Sequence, residues 1–339
     1  MKILSVVIPS YNSEEYLDRC VDSILPAGED VEIIIVNDGS TDRTAEIADD
    51  YADKFPSIVK VIHKENGGHG STINSGIKAA TGWFFKVVDS DDRLDPECLK
   101  KVIDVLKKSI EKNTKLDMLL CNYVYDKQGA KHKFVMKPKG IPKDQLLNWD
   151  DIRHIRKYHY ILMHSIIYRT DLLRLCDLEL PEHTYYVDNI YAFQPLPYVK
   201  TFCYKDIDLY WYFIGREGQS VSEEKLVKQI DQYIFVIKIM TKVFKESKYI
   251  TNSKPCLDYM LNYLEVVFGI TCNFLNVGKD PANIQKKKDL WAEVEKIDPD
   301  AAAILKKRLV VVATNLPGKG GRAVSKYGYR ALSKLLGLN

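Results

Sequence analysis

The chain has 339 residues, 46% hydrophobic and 28% charged, with a net charge of +3. That length exceeds one small core and predicts two domains, or one domain with a large appendage. The composition excludes a disordered chain, and the near-neutral balance names no partner.

The first hundred residues alternate strand and helix signals. Ile3–Pro9 is a fully apolar run of the kind buried on both faces of a parallel sheet. Ser13–Leu25 has helix periodicity, with Ser13 as the expected N-cap. Val31–Asp38 reads as a second strand, and Ser40–Phe55 as a helix opened by Ser40 or Thr41. Strand signals at Ile58–Lys64 and Gly82–Asp89 flank a third helix, Gly70–Thr81. The alternation predicts right-handed β-α-β units and a mainly parallel α/β sheet of Rossmann-like type, with helices on both faces. A helix follows Pro96, with Asp95 as its expected N-cap and Pro96 at the next position. A strand, "DMLLCNYVYD", and a hairpin partner, "KHKFVMK", come next. Shorter strands fill residues 140–220, and the pattern turns helical from Glu224. The expected domains are therefore 1–220 and 221–339, the first with a distinct part at about 126–220.

Ligands of such sheets bind beyond the carboxyl ends of the strands. Polar clusters fall at those places: "PSYN", "NDGSTD", "ENGGHG" and "DSDD". The last raises an electrostatic problem. Asp89, Asp91 and Asp92 lie within four residues of one another and repel unless a cation neutralises them.

The seven cysteines are scattered, odd in number and without a C-x-x-C pair. They read as reduced core thiols of a cytosolic protein. The N-terminus reads as a first strand and not a signal peptide, and charges interrupt every long apolar stretch, which argues against a transmembrane helix. Beyond Asp300 there is no acidic residue, while Arg322, Lys326, Arg330 and Lys334 recur at four-residue intervals beside an apolar stripe. Residues 322–338 thus read either as a basic amphipathic helix on an anionic membrane surface or as a helix docked on the protein with its lysines solvated. Nucleic acid is disfavoured for want of a binding fold.

With these motifs the chain resembles a family 2 glycosyltransferase of the GT-A fold. The matching segments are "SVVIPSYNSEEYLDRCVDSIL", "IIIVNDGSTDRT", "NGGHGSTINSGIKAATG" and "VVDSDD". The likeness is strong over 1–125, weaker over 160–220 and without specific pattern beyond. It implies a metal-dependent, inverting transfer of sugar from a nucleotide sugar, UDP-linked, to a hydroxyl of a glycan or lipid-linked glycan. The acidic cluster would bind Mn²⁺ or Mg²⁺, a hard ion that prefers carboxylate and phosphate oxygens. Asp91 is the expected principal metal ligand. Asp89 is a sugar or ribose contact that shares the ion, and Asp92 suits either register. Pro9, Tyr11 and Glu14 correspond to the first nucleotide-binding loop, and Asp38 to the aspartate on the uracil or ribose. Tyr11 as ordinary packing and Asp38 as a turn residue stand beside those roles.

Ile73 departs from the pattern, since many relatives carry an arginine there that approaches the diphosphate. His69, Lys64 or the backbone N–H groups around Gly68 would replace it. An acidic pair in relatives falls here on Val187 and Asp188, which makes Asp188 the expected base and Glu182 the fallback. Asp188 as a helix cap is the other reading. Arg216 and Ser220, in "YWYFIGREGQSVS", correspond to a segment that closes over the diphosphate. A non-enzymatic sugar-nucleotide-binding scaffold and a sugar nucleotidyltransferase are the rival functions. The helices past 224 are compatible with homo-oligomerisation or acceptor docking, and the expected location is the cytoplasm, at the cytoplasmic face of the membrane.

Overall fold

The structure is a computed structural model that describes residues 1–127, 133–152, 161–215, 223–278 and 280–316. The chain divides into two compact units, Met1–Arg216 and Glu217–Asn339.

The first unit is built on a ten-stranded sheet. In chain order its elements are β1 (Leu4–Ser10), α1 (Leu17–Ile24), β2 (Val31–Asp38), α2 (Thr44–Lys54), β3 (Val59–Lys64), α3 (Gly68–Ala79), β4 (Phe84–Val87), β5 (Arg93–Leu94) and α4 (Pro96–Glu111). They continue with β6 (Met118–Lys127), β7 (Phe134–Met136), β8 (Leu146–Leu147), β9 (Ile166–Arg169), α5 (Thr170–Leu175), α6 (Asp188–Phe193) and β10 (Phe202–Ile214). The order across the sheet is β3-β2-β1-β4-β9-β6-β10-β5. Strands β3, β2, β1 and β4 run parallel. Strand β9 is antiparallel to both neighbours, and β10 lies parallel to β6. The expected hairpin is present as β6 and β7. Every residue of β1, β2 and β4 is buried, as the unbroken apolar runs require of strands covered on both faces. The amphipathic helix α4 buries Leu99, Val102, Ile103 and Leu106 in the same core.

Two helix starts differ from the expectation. Ser13 does not cap α1, which begins at Leu17. Its N–H donates to Thr44 Oγ1 at 2.7 Å and its hydroxyl lies 2.7 Å from that of Ser90, so it joins loops instead. Helix α2 opens at Thr44, not at Ser40 or Thr41. The Ser40 hydroxyl accepts from Asn12 N–H, the Thr41 N–H donates to Asn12 Oδ1, and Asp42 takes the N–H of Thr44. Competition from loop-to-loop bonds is the usual reason that Ser and Thr fail as caps where the sequence suggests them. Asp95 does cap α4, accepting the Cys98 N–H at 2.9 Å.

The second unit contains α7 (Glu223–Lys228), α8 (Ile230–Ile250), α9 (Lys254–Val277), α10 (Asn283–Ile297), α11 (Pro299–Leu305) and α12 (Leu309–Thr314). Among the described residues, α9 alone is long and apolar enough to cross a membrane, but 72% of its apolar window is buried, because it is the core helix of this unit. Buried carboxylates there are paired, Glu265 with Arg308 and Asp298 with Lys248. None of the seven cysteines forms a disulfide, and six are buried.

At the end of the sheet where β2 begins, the buried Glu32 gathers donors from β1, β3 and the loop before β4. Its carboxylate accepts from Ser5 Oγ at 2.6 Å, Thr81 Oγ1 at 2.9 Å, Gly82 N–H at 3.0 Å and Lys60 Nζ at 2.8 Å. Burial works to raise its pKa, yet these bonds outweigh it and bring the value to about 2. A depressed carboxylate contributes stability that is complete above the unfolded pKa of about 4.3 and lost as pH falls through the folded one. Glu32→Ala is expected to cost about 3 kcal/mol in urea unfolding at neutral pH. In Glu32→Gln the loss of stability between about pH 4 and pH 2 should shrink.

Candidate active site

The carboxyl ends of β1 to β4 form one rim, and the loops there are bonded to each other. Pro9 and Ser10 end β1 in the core, while Tyr11 is exposed. Glu14 is also exposed, and its carboxylate accepts the Arg43 N–H at 3.0 Å. The pair Asp38 and Lys64 sits at the ends of β2 and β3, directly across in register. Gly39, at φ +71°, turns the chain behind it, a conformation cheap only for glycine.

Asp38 is only 2% exposed. It accepts the N–H groups of Gly67 and Gly68 at 2.9 and 2.7 Å and Lys64 Nζ at 3.0 Å. The carboxylate thus holds the glycine-rich turn in place. Lys64, expected near a diphosphate, is committed to Asp38 and to the Glu65 carbonyl. Ile73 is fully buried in α3, so that position faces core and not the rim.

His69 stands in the first turn of α3 and puts Nε2 2.8 Å from Asp89 Oδ1. Burial alone would lower its pKa. The hydrogen bond and the charges of Asp89, Asp188 and Asp91 outweigh this and raise it. Asp89 is held ionised in return: burial opposes, but the bond to His69 and the charges of His69 and Lys86 prevail. Asp91 is half-buried, and its carbonyl accepts from the Arg19 guanidinium.

Asp92 behaves differently from its neighbours. It is fully buried and accepts from Tyr210 Oη at 2.5 Å and from Phe213 N–H at 2.7 Å. Burial and the charges of Asp91 and Asp89 push its pKa far up. It therefore fixes the end of β10 against the acidic turn. Behind it lies His164, 7% exposed, with its ring 4.6 Å from that of Tyr210 and Nδ1 without a hydrogen-bond partner. Burial lowers its pKa to about 4, so the imidazole is neutral at ordinary pH. Ligand atoms of Asp89, Asp92 and His164 all lie within 4.8 Å of one another. That grouping differs from the sequence expectation, which named Asp91 and Asp89. Two carboxylates and a neutral imidazole, with a third carboxylate adjoining, suit a divalent cation such as Mn²⁺.

Asp188 opens α6 and is half-buried. It is not the helix cap, since Val187 holds that position without a side-chain bond. Burial raises its pKa to about 6; His69 pulls the other way and Asp89 adds to the rise. Glu182, the fallback base, is exposed, and Arg216 and Ser220 lie outside the described residues.

The loop that carries Asp188 is clamped to the start of α3. Asn74 Nδ2 donates to the Leu180 carbonyl at 2.8 Å, and its Oδ1 accepts the Leu180 N–H at 2.9 Å. The His183 N–H donates to the Gly67 carbonyl at 2.7 Å. Gly68, at φ +82°, comes so close to the His183 backbone that an added Cβ would lie 3.1 Å from it. His183 and Tyr186 themselves adopt positive φ, +48° and +66°. Such strain persists only where surrounding contacts enforce it. Sequence reasoning missed Asn74, Lys86, His164 and Tyr210. The signals were an asparagine inside a helix, where it is a poor former, and a lysine inside the apolar strand "FFKVVD". Asn74→Ala should accelerate amide exchange at Leu180 and His183 and cost about 1–3 kcal/mol, measured by hydrogen exchange and thermal unfolding.

Residues 5–168 match the family model described as Glycosyl transferase family 2. The uncharacterized glycosyltransferase EpsJ of Bacillus subtilis (strain 168) is 32% identical over 242 residues, 68% of this chain and 66% of EpsJ. The chain thus spans less than two thirds of that relative's length. Among solved structures, S. aureus TarS 1–349 in complex with UDP-GlcNAc superposes with a TM-score of 0.68 at 22% identity, over 98% of this chain and 92% of TarS 1–349. The mannosyltransferase PcManGT from Pyrobaculum calidifontis, in complex with GDP-Man and Mn²⁺, gives 0.51 at 13% identity, over 96% of this chain and 86% of that one. These two likenesses identify the fold as that of the GT-A glycosyltransferases, and the matched sequence places the chain in glycosyl transferase family 2.

Proposed function

We propose that the protein is an inverting glycosyltransferase that moves a sugar from a nucleotide sugar, UDP-linked, to a hydroxyl of a glycan or lipid-linked glycan. The reading is carried by the half-buried Asp188 carboxyl at the start of α6, which feels the charges of His69 and Asp89 at the acidic rim; burial raises its pKa to about 6. A carboxylate poised near working pH is suited to general base catalysis. The acceptor oxygen attacks the anomeric carbon, its proton passes to an Asp188 oxygen, and the bond to the departing nucleoside diphosphate breaks. Support for a UDP-linked donor comes from TarS, a fold neighbour with UDP-GlcNAc bound.

A divalent cation, Mn²⁺ or Mg²⁺, would be held by Asp91 and Asp89, with Asp92 and His164 behind them. When bound it supplies Lewis-acid stabilisation of the leaving diphosphate. Asp38, Tyr11, Pro9 and Glu14 would form the nucleoside side. His69 holds Asp89 in place and offsets the charge that Asp188 feels. The basic segment 322–338 lies outside the described residues. In this reading it contacts the cytoplasmic face of the membrane, where a lipid-linked acceptor would be met. Leu309, Val312 and Leu316, exposed just before it, suit the same surface.

The test is a panel of sugar nucleotides assayed for transfer and hydrolysis with and without Mn²⁺. Asp91→Ala should abolish metal-dependent turnover in a folded protein; full activity would defeat the metal assignment. Asp188→Asn should keep UDP binding in calorimetry and lose transfer by about a hundredfold or more. Because the base must be ionised, kcat/KM should fall as pH drops through about 6. A flat profile would move the base elsewhere. Binding of UDP with no turnover of any sugar nucleotide would favour a non-catalytic scaffold.

A further inference from the structure

Lys86 has no part in the chemistry above, yet its placement is unusual. It lies in the middle of β4, between Phe85 and Val87, and is fully buried. Its ammonium donates to the His164 carbonyl at 2.8 Å and to the Ile166 carbonyl at 3.4 Å. It also lies 5.0 Å from the centre of the Tyr210 ring. The hydroxyl of that tyrosine donates to Asp92 and accepts the Asp89 N–H, so one aromatic ring separates the lysine from the acidic turn. Lys86 and Asp89 also feel each other's charge.

A buried ammonium is costly unless other groups compensate it. Two carbonyls and a π-face compensate in part. Among the carboxylates of the turn, Asp89 supplies the further compensation. The ammonium is placed as a donor, with two carbonyl acceptors and an aromatic face around it.

We infer that Lys86 is a built-in counter-cation of the acidic turn, a positioning residue that holds the carboxylates together before a divalent ion and donor arrive and that weakens the binding of that ion. The inference rests on the metal-dependent reading above. Its distinguishing feature is a sign. A lysine that merely packs the core should, when replaced, leave ion affinity unchanged or reduced. A counter-cation should, when neutralised, leave a more negative turn that binds the ion more tightly.

The experiment titrates Mn²⁺ into the full chain in the presence of UDP and reads free Mn²⁺ by electron paramagnetic resonance. Lys86→Gln keeps a donor for the His164 carbonyl and removes the charge; Lys86→Met removes both. Both are expected to lower the Mn²⁺ dissociation constant by about tenfold, the order set by one charge facing a divalent ion at intermediate dielectric. Unchanged or weaker binding in folded variants overturns the inference while leaving the metal reading intact. Absence of Mn²⁺ binding by the unaltered chain overturns both. Should the variants fold only with Mn²⁺ and UDP present, the thermal melts show the ion replacing the missing charge, which supports the inference. Failure to fold under either condition makes the lysine purely structural and ends it.

Discussion

The structure is organised by the repulsion among carboxylates at one rim of the sheet. Asp89, Asp91 and Asp92 follow β4 within five residues, and Asp38 and Asp188 adjoin the same rim. Four of them are handled by different devices. Asp38 is saturated with backbone N–H groups and a lysine. Asp89 is paired with His69. Asp92 lies in the interior under a tyrosine hydroxyl and a backbone donor. Asp188 alone has its pKa raised into the range useful for proton transfer. The rim therefore assigns separate roles to residues of one chemical type through burial and partners.

This sorting explains which parts of the site were legible in the sequence. Motif position located the rim, because strands that run parallel must end together and their polar termini converge. The apolar runs of β1, β2 and β4 announced strands buried on both faces. Asp95 followed by Pro96 announced a helix start, and Asp95 does cap it. Ser13, Ser40 and Thr41 carried the same local signal and were taken by bonds to residues up to 77 positions away. Local propensity cannot see those partners.

The distribution of roles within "DSDD" was hidden for a related reason. The three aspartates look equivalent in sequence, whereas the turn sends Asp92 inward and leaves Asp91 half-buried. What meets Asp92 comes from β10, more than a hundred residues later. Lys86 was overlooked because it sits in an apolar segment where the bland reading, a core strand, is also correct, and His164 because it lies in the short turn that leads into β9. The strand is core, and it carries a charge besides.

The clamp between Asn74 and Leu180 has a consequence for altering this molecule. The segment that cradles Asp38 and the segment that bears Asp188 are tied at Asn74 and again at Gly67 and Gly68. They are one mechanical part although a hundred residues of chain separate them. Anyone who transplants the stretch around 180–188 from a cousin enzyme, in the hope of changing what is glycosylated, would have to carry residues 67–74 across with it.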